Sequence, residues 1–220
     1  LKAMYRNNIS GTSPSVKEFE DSLRMNFNTK YVSTVSNGSA ALDLSLKVLN
    51  LNRNDEVVVP SHTIISCLSA ILRGNAKPVF CDVEEDTLNI DCNLIEGLIT
   101  ENTKAIIAVD MGGQLCDYHR LRNICNKHNL VLIEDAAHSI GAQETKCPNS
   151  PKVGSFADFT TLSFHPVKNI TTGEGGMVTT NDENLAEKLA QLRNMGQDYR
   201  YHHKYLGFNY RMTEIAAVIG

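Results

Sequence analysis

A lysine follows an apolar strand-like segment and leads into a glycine-rich turn, in the segment 161–176. The segment presents a hydroxyl at Ser163 and an amine at Lys168. A lysine is rarely placed where its stem is buried unless its amine has a partner. One use of such an amine is a covalent bond to a carbonyl cofactor. A solvated surface lysine is the alternative that this motif alone leaves open.

A carboxylate lies at the end of another apolar strand-like segment. Asp135 follows 130–134, which is rich in Leu, Val and Ile, and precedes Ala136, Ala137 and His138. An unpaired carboxylate in such a place is costly, so Asp135 must find a cation or several hydrogen-bond donors. The alternative interpretation is a structural aspartate satisfied by backbone N–H groups.

A small polar turn joins the segment 31–35 to a helix-like segment. Its sequence is Ser36-Asn37-Gly38-Ser39-Ala40. The start of a helix offers unpaired N–H groups and the positive end of a dipole, which suits a phosphate. Gly38 would let an anion approach the backbone, and the Ser39 hydroxyl would add a donor. A turn that merely caps a helix is the alternative interpretation.

Together the three motifs indicate one cofactor. Pyridoxal 5′-phosphate (PLP) needs a site for its phosphate, a carboxylate that keeps its pyridine nitrogen protonated, and a lysine for its aldehyde. The chain supplies all three in order. Each follows a predicted strand, and ligands of open α/β sheets bind beyond the carboxyl ends of strands.

The elements that must position these residues alternate along the chain. The predicted strands are 31–35, 57–60, 78–82, 104–110, 130–134, 156–164 and 176–180. The predicted helices are one with Leu42, Leu46 and Leu49 on one face, then 63–72, 91–99, 121–128, and one capped by Asn181-Asp182. Continuous apolar strands separated by helices predict an α/β fold with a mostly parallel central sheet and helices on both faces. We expect one domain over 1–220.

Composition excludes several classes of protein. The chain has 220 residues, 42% of them apolar, and a net charge of −4, which does not favour a nucleic-acid or membrane-surface partner. No apolar run reaches the roughly 20 residues that span a bilayer. The six cysteines lack metal-ligand spacing, so we expect no metal site and interpret them as buried thiols in a reducing, cytoplasmic setting.

The same motifs carry a resemblance to a known family. The matching blocks are 36–42, 55–60, 103–107, 133–138, 163–168, 173–176, 192–194 and 207–214. With these ordered blocks, the sequence from about residue 11 to residue 220 resembles the DegT/StrS family of PLP-dependent nucleotide-sugar aminotransferases. That family lies within the larger aspartate-aminotransferase-like fold, so the resemblance implies the large, PLP-binding domain of this fold.

The resemblance implies roles for individual residues. Lys168 would hold the cofactor covalently and move protons, and Asp135 would pair with the pyridine nitrogen. The cofactor phosphate would bind to Gly38, Ser39 and Ser163.

Further roles are implied nearer the rim of the site. His138 stands where the family places a side chain near the phenolic oxygen of the cofactor. Asn209 and Arg211 match a segment that, in the family, reaches the active site of the partner subunit. The resemblance therefore implies a homodimer with a shared active site.

The sequence departs from the family pattern at the start of one helix. Family members usually stack an aromatic residue on the pyridine ring, and the matching position is Ile64. We expect an aliphatic face to replace that stack, and His62 is a second candidate for contact with the ring. Family members also carry a small C-terminal domain and a longer N-terminal arm, so we expect 1–220 to be a fragment that corresponds to the large domain.

The resemblance implies transfer of an amino group from glutamate to a nucleotide-linked keto-sugar, for surface polysaccharide or glycoconjugates. The segment 163–172 looks like members that act on 4-keto-6-deoxy sugars. Lys168 argues against the sugar dehydratases of the family, which carry histidine there. A non-catalytic or truncated member with a binding or regulatory role stays open. A PLP-dependent desulfurase or lyase needs a cysteine on a mobile loop, and no cysteine shows that signal.

Overall fold

The computed structural model describes residues 13–144 and 150–220. Its α-helices are α1 (Pro14–Phe27), α2 (Gly38–Lys47), α3 (Ile65–Arg73), α4 (Cys92–Leu98), α5 (Tyr118–His128), α6 (Glu183–Arg193) and α7 (Glu214–Ile219). Its strands are β1 (Tyr31–Val35), β2 (Glu56–Pro60), β3 (Lys77–Cys81), β4 (Thr103–Val109), β5 (Val131–Asp135), β6 (Phe159–Ser163), β7 (Gly176–Thr180), β8 (Gln197–Tyr199) and β9 (His202–His203). These elements confirm the predicted alternation of strands and helices.

The central sheet has the strand order β1-β7-β6-β5-β4-β2-β3. Strand β7 runs antiparallel to both of its neighbours, β1 and β6. The other neighbouring strands of this sheet pair in parallel. The predicted mostly parallel sheet is therefore confirmed, and the antiparallel β7 is a feature that the sequence did not indicate.

Helices cover both faces of the sheet because its strands are apolar on both sides. On β2, Val57 and Val59 belong to a core that includes buried residues of α2, α3 and α6. Val58, between them, belongs to a second core with α4 and α5. A third core joins α1 and α7 to Leu162 and Met177. Successive residues of a strand point to opposite faces, so this alternation produces the layered arrangement.

The predicted site segments leave the sheet at one edge. Strand β6 ends at Ser163, which pairs with Gly176 at the start of β7, and Gly176 also pairs with Val35 at the end of β1. In the parallel part of the sheet, Asp135 at the end of β5 pairs with Val109 at the end of β4. Because the pairing aligns these strand ends, the turns that follow β1, β5 and β6 meet beyond a single edge.

The cysteines are buried thiols, as predicted, at the positions that the structure describes. They are free and buried at Cys67, Cys81, Cys92, Cys116 and Cys125. Cys147 lies outside the described residues. In the described ranges, no helix has the length and apolarity to cross a membrane. Over the same ranges, no cluster of three or more His, Cys, Asp or Glu side chains could hold a metal ion.

Candidate active site

The start of α2 forms a polar corner at the sheet edge. The side chain of Asn37 accepts a hydrogen bond from the backbone N–H of Ala40 (2.8 Å), which caps the helix. The hydroxyl of Ser39, in the first turn, lies 2.7 Å from the hydroxyl of Ser66 in the first turn of α3. The capping interpretation of this turn is thus correct for Asn37. It leaves Ser39 and Ser66 as a pair of hydroxyls between two helix starts.

Gly38 lies directly against Ser163. A Cβ atom added at Gly38 would meet the Cβ of Ser163 at 2.8 Å and its Oγ at 3.2 Å. Real Cβ atoms essentially never make contacts shorter than 3.0 Å. Only glycine therefore allows the start of α2 and the end of β6 to approach so closely, which brings the hydroxyls of Ser39 and Ser163 to the same corner.

Asp135 is buried at the end of β5 with two hydrogen-bond donors. Its Oδ1 accepts from the backbone N–H of Ala137 (3.1 Å), and its Oδ2 accepts from the Cys67 thiol (3.5 Å). Burial raises the pKa of Asp135 above its ordinary value. These two hydrogen bonds and the nearby His138 and Lys168 offset part of that increase. A backbone donor alone therefore does not satisfy this carboxylate. It depends on a thiol and on neighbouring positive charge.

Lys168 and His138 lie within electrostatic reach of each other. Burial and the charge of Lys168 lower the pKa of His138, and Asp135 raises it. The lowered pKa favours the neutral imidazole, which can accept or donate a hydrogen bond. The Lys168 backbone N–H donates to the carbonyl of His165 (2.9 Å), which holds the lysine in the turn after β6.

Most of the side chains described above line one cavity of about 720 Å³, which lies at the carboxyl-terminal ends of the strands. Ligand pockets have volumes of roughly 300–1,000 Å³. The structure brings six of the predicted site residues to its wall: Gly38, Ser39, Asp135, His138, Ser163 and Lys168. The spatial convergence that the three motifs require is thus present in a single chain.

A buried network holds the turn that carries His138. The carboxylate of Asp110 accepts from the hydroxyl of Ser139 (2.6 Å) through Oδ2 and from the hydroxyl of Tyr118 (2.8 Å) through Oδ1. Burial raises the pKa of Asp110 to about 6, although these hydrogen bonds lower it. Gly113, with a φ of +90°, has room for no side chain because a Cβ would meet the His138 carbonyl oxygen at 2.8 Å. These contacts at Ser139 and at the His138 carbonyl fix the backbone of the turn that carries the His138 side chain.

Asn209 and Arg211 are not among the residues that line this cavity. Asn209 is exposed and forms a backbone bridge with Asn194. Arg211 forms a backbone bridge with Val35, and its guanidinium donates to the side chain of Asn194 (2.6 Å). Their predicted role in a partner subunit's site stays a prediction.

Ile64 lines the cavity and is 57% exposed. It precedes α3 in an extended conformation, so the helix predicted from residue 63 begins at Ile65 instead. An aliphatic side chain therefore stands where the family usually has an aromatic ring. His62 is exposed and is not among the lining residues.

Sequence reasoning missed several polar residues of the cavity. Ser66 lies beside Ser39, and Asp43 accepts hydrogen bonds from Arg73 (3.1 Å) and Tyr210 (2.8 Å). Asp43 is one helical turn beyond Ser39, and this spacing was the available signal for it. Nothing local to Ser66, Arg73 or Tyr210 marks them, because they reach the cavity through packing between elements.

Comparisons with known proteins agree with the geometry. The family model of the DegT/DnrJ/EryC1/StrS aminotransferase family matches residues 1–220. GDP-perosamine synthase from Caulobacter vibrioides is 41% identical over 222 residues, covering 100% of this chain and 59% of the relative. UDP-N-acetyl-3-dehydro-alpha-D-glucosamine 3-aminotransferase from Acidithiobacillus ferrooxidans is 43% identical over 185 residues, covering 84% of this chain and 49% of the relative.

A solved structure shares the fold. The crystal structure of NtdA from Bacillus subtilis with bound cofactor PMP superposes with a TM-score of 0.92 at 32% identity, covering 99% of this chain and 49% of that one. The chain thus spans between about half and three fifths of the lengths of the proteins named here. The resemblance inferred from the sequence is confirmed, and the chain belongs to the DegT/DnrJ/EryC1/StrS aminotransferase family.

Proposed function

We propose that the protein is a PLP-dependent aminotransferase that moves an amino group from glutamate to a nucleotide-linked keto-sugar. We propose a 4-keto-6-deoxy sugar as the acceptor, in the making of amino sugars for surface polysaccharide or glycoconjugates. We further propose a cytoplasmic homodimer in which Asn209 and Arg211 serve the partner's site, and residues 1–220 as one cofactor-binding unit. The observation that carries the proposal is the convergence of Lys168, Asp135 and the Gly38–Ser163 corner on one cavity.

The residues present fit the cofactor. The corner formed by Gly38, Ser39 and Ser163 offers hydroxyls and the N–H groups of a helix start, which suit a phosphate. The buried carboxylate of Asp135 needs a further positive partner, which a protonated ring nitrogen supplies. The volume of about 720 Å³ also leaves space for a substrate beside the cofactor.

When bound, PLP supplies an aldehyde that condenses with amines and a ring that takes up electrons from the bond being broken. The amine of Lys168 would hold that aldehyde and, once displaced by the amino donor, would take the proton from the donor's Cα atom. Asp135 would keep the proton on the ring nitrogen, which stabilises charge that develops in the transition state. Neutral His138 would donate to or accept from the phenolic oxygen.

The relatives favour a sugar substrate but differ in its details. Their names specify GDP in one case and UDP with a 3-dehydro sugar in the other. The 4-keto-6-deoxy assignment therefore rests on the resemblance of the segment 163–172. Fold and family alone do not fix a substrate.

A two-step assay tests this function. The full-length protein is loaded with PLP and mixed with glutamate, and the visible cofactor band is followed. We expect glutamate to bleach the band and one of a panel of GDP-, UDP- and dTDP-linked keto-sugars to restore it. Restoration by a 3-keto sugar instead would correct the acceptor. Cofactor-free protein that does not shift the absorption band of added PLP would contradict the proposal and favour the binding or regulatory alternative.

The phosphate corner gives a further prediction. Gly38→Ala places a methyl group against Ser163, and overpacking of this kind costs about 1–3 kcal/mol. We expect Ser163 or the start of α2 to shift, so that PLP binds roughly tenfold more weakly or worse in a fluorescence titration.

Gly97→Ala is the matched control for Gly38→Ala. Gly97 lies inside α4, and an added Cβ there would meet nothing within 4 Å. We expect this variant to keep the affinity of the wild type. Equal affinities for PLP in the wild type and in Gly38→Ala would show that the corner does not hold the phosphate.

A further inference from the structure

A buried thiol contacts the carboxylate of the candidate site. Cys67 lies in the first turn of α3 and its side chain is fully buried. Its Sγ lies 3.5 Å from Oδ2 of Asp135, which is 68 residues away in the chain, and 3.3 Å from the hydroxyl of Thr63. The thiol is therefore linked to the one carboxylate that the proposed function assigns to the ring nitrogen.

The thiol is a permanent hydrogen-bond donor. Burial raises the pKa of Cys67 far above its ordinary value, and the negative charge of Asp135 raises it further, against a smaller lowering by Thr63. The sulfur therefore keeps its proton throughout the physiological pH range. Since Asp135 carries no proton when ionised, the hydrogen bond runs from the S–H group to Oδ2.

The two oxygens of Asp135 are held by donors of different kinds. The backbone N–H of Ala137 fixes Oδ1, and the thiol fixes Oδ2. Two fixed contacts determine the rotation of the carboxylate, which neither contact determines alone. A thiol is a weak, uncharged donor, so it orients the carboxylate while leaving most of its negative charge available to another partner.

We propose that Cys67 is a positioning residue for Asp135. The S–H group of Cys67 holds Oδ2 of Asp135, so that the ionised carboxylate faces the ring nitrogen of the cofactor. This proposal rests on the proposed function. Cys67 touches neither the cofactor nor the substrate in this role, because it acts through Asp135.

Other ionisable groups also act on Asp135. Lys168 and His138 favour its ionised form. Asp110 and Glu134 lie close enough to Asp135 for their charges to interact. All four remain in a Cys67 variant, so a change in the ionisation of Asp135 reports on the thiol.

The first test needs no cofactor. The S–H stretching band of Cys67 is identified in the infrared spectrum as the band that Cys67→Ser removes. Hydrogen bonding lowers the S–H frequency, so we expect the band to move to higher frequency in Asp135→Ala, and by less in Asp135→Asn, which keeps an oxygen acceptor. A band at the wild-type frequency in both Asp135 variants would overturn the proposed contact.

The second test follows the reaction with glutamate across pH. The thiol favours the ionised carboxylate, so its loss in Cys67→Ala makes Asp135 easier to protonate. We expect the acid limb of the rate profile to move up by about 0.5–1 pH unit and the rate constant at neutral pH to fall roughly fivefold. Cys67→Ser keeps a donor of similar size. It should restore the rate constant to within about twofold and return the acid limb to its wild-type position.

Cys125→Ala is the control for the loss of a buried thiol. Cys125 is buried in α5, in the core on the opposite face of the sheet. This variant should lower thermal stability much as Cys67→Ala does, while its pH profile stays that of the wild type. Equal pH profiles in Cys67→Ala and the wild type would show that the thiol is merely structural.

The two tests separate this proposal from the proposed function. A wild-type protein that binds no PLP would overturn the function and the role of Cys67 toward the ring, and the infrared result would still decide whether the thiol contacts Asp135. An active wild type would overturn the positioning role alone if its Cys67 S–H band were not moved by either Asp135 substitution and if Cys67→Ala kept the wild-type pH profile.

Discussion

In the Lys168→Ala variant, we expect no covalently bound cofactor and a fall in the rate of the glutamate reaction of roughly 10²–10⁴-fold or more. The substitution removes both the amine that would hold the aldehyde and the base that would take the Cα proton. The wild type should show a visible absorption band that disappears when sodium borohydride reduces the bond between cofactor and lysine, which leaves the cofactor permanently attached to the peptide carrying Lys168. The variant should show no such labelled peptide by mass spectrometry.

Two control experiments test whether the effect of Lys168→Ala is specific to that amine. Lys77→Ala removes an amine at the first residue of β3, away from the cavity, and should behave as the wild type. Addition of a small primary amine to Lys168→Ala should restore part of the rate, because a free amine can accept the proton in the space that the side chain leaves. Turnover at the wild-type rate in Lys168→Ala would refute the assignment.

For Asp135→Asn, we expect the cofactor to remain attached to Lys168 while the glutamate reaction slows by roughly 10²–10³-fold, the loss typical of a removed electrostatic contact. The amide has nearly the shape of the carboxylate but cannot hold a proton on the ring nitrogen. The effect should therefore fall on the rate constant and much less on the amount of bound cofactor. Stopped-flow absorbance measures both quantities.

Glu134→Gln is the matched control for Asp135→Asn. Glu134 is the preceding buried carboxyl, and its Oε2 accepts from the hydroxyl of Thr160 (2.6 Å) and the N–H of Gly154 (3.1 Å). Burial raises the pKa of Glu134, which favours its uncharged form, and the amide resembles that form. We expect near wild-type rates in this variant.

A cofactor analogue checks the physical reason for the effect at Asp135. PLP methylated at the ring nitrogen carries a fixed positive charge, which no longer depends on a carboxylate. We expect this analogue to recover a large part of the rate lost in Asp135→Asn. No slowing in Asp135→Asn, or no recovery with the analogue, would show that Asp135 does not act through the ring nitrogen.

The sequence was most informative about elements whose position is determined by residues adjacent in the chain. Strand β5 was predicted at 130–134 and lies at Val131–Asp135, because a continuous run of Leu, Val and Ile in a chain of alternating elements is typical of a buried parallel strand. The helix predicted after Asp182 begins at Glu183, since the Asp182 side chain caps it through the N–H of Leu185.

The sequence was least informative about pairing between distant strands. Strand β7 inserts between β1 and β6 and runs against both, and residue types within Gly176–Thr180 do not encode that choice. This insertion aligns the ends of β1 and β6 on either side of Gly176. The contact between Gly38 and Ser163 therefore depends on a pairing that no local pattern predicts.

Cys67 shows the same limit for a single side chain. Its local pattern is that of an apolar position on an amphipathic helix, and the prediction of a buried thiol was confirmed. Its neighbour Asp135 is 68 residues away in the chain. The hydrogen bond between them exists because α3 packs on the face of the sheet where β5 directs its odd-numbered side chains.

The amino-acid sequence by itself determined the α/β class, the positions of Lys168, Asp135 and Gly38 at or just after the ends of strands, and the family. These features depend on short-range periodicity and on motifs of adjacent residues. The tertiary structure decided which of these residues share a cavity, that Asn209 and Arg211 lie outside it, and that Ser66 and Cys67 belong beside it. Strand order and helix packing are set by contacts between residues far apart in the chain, and such contacts leave no local signature.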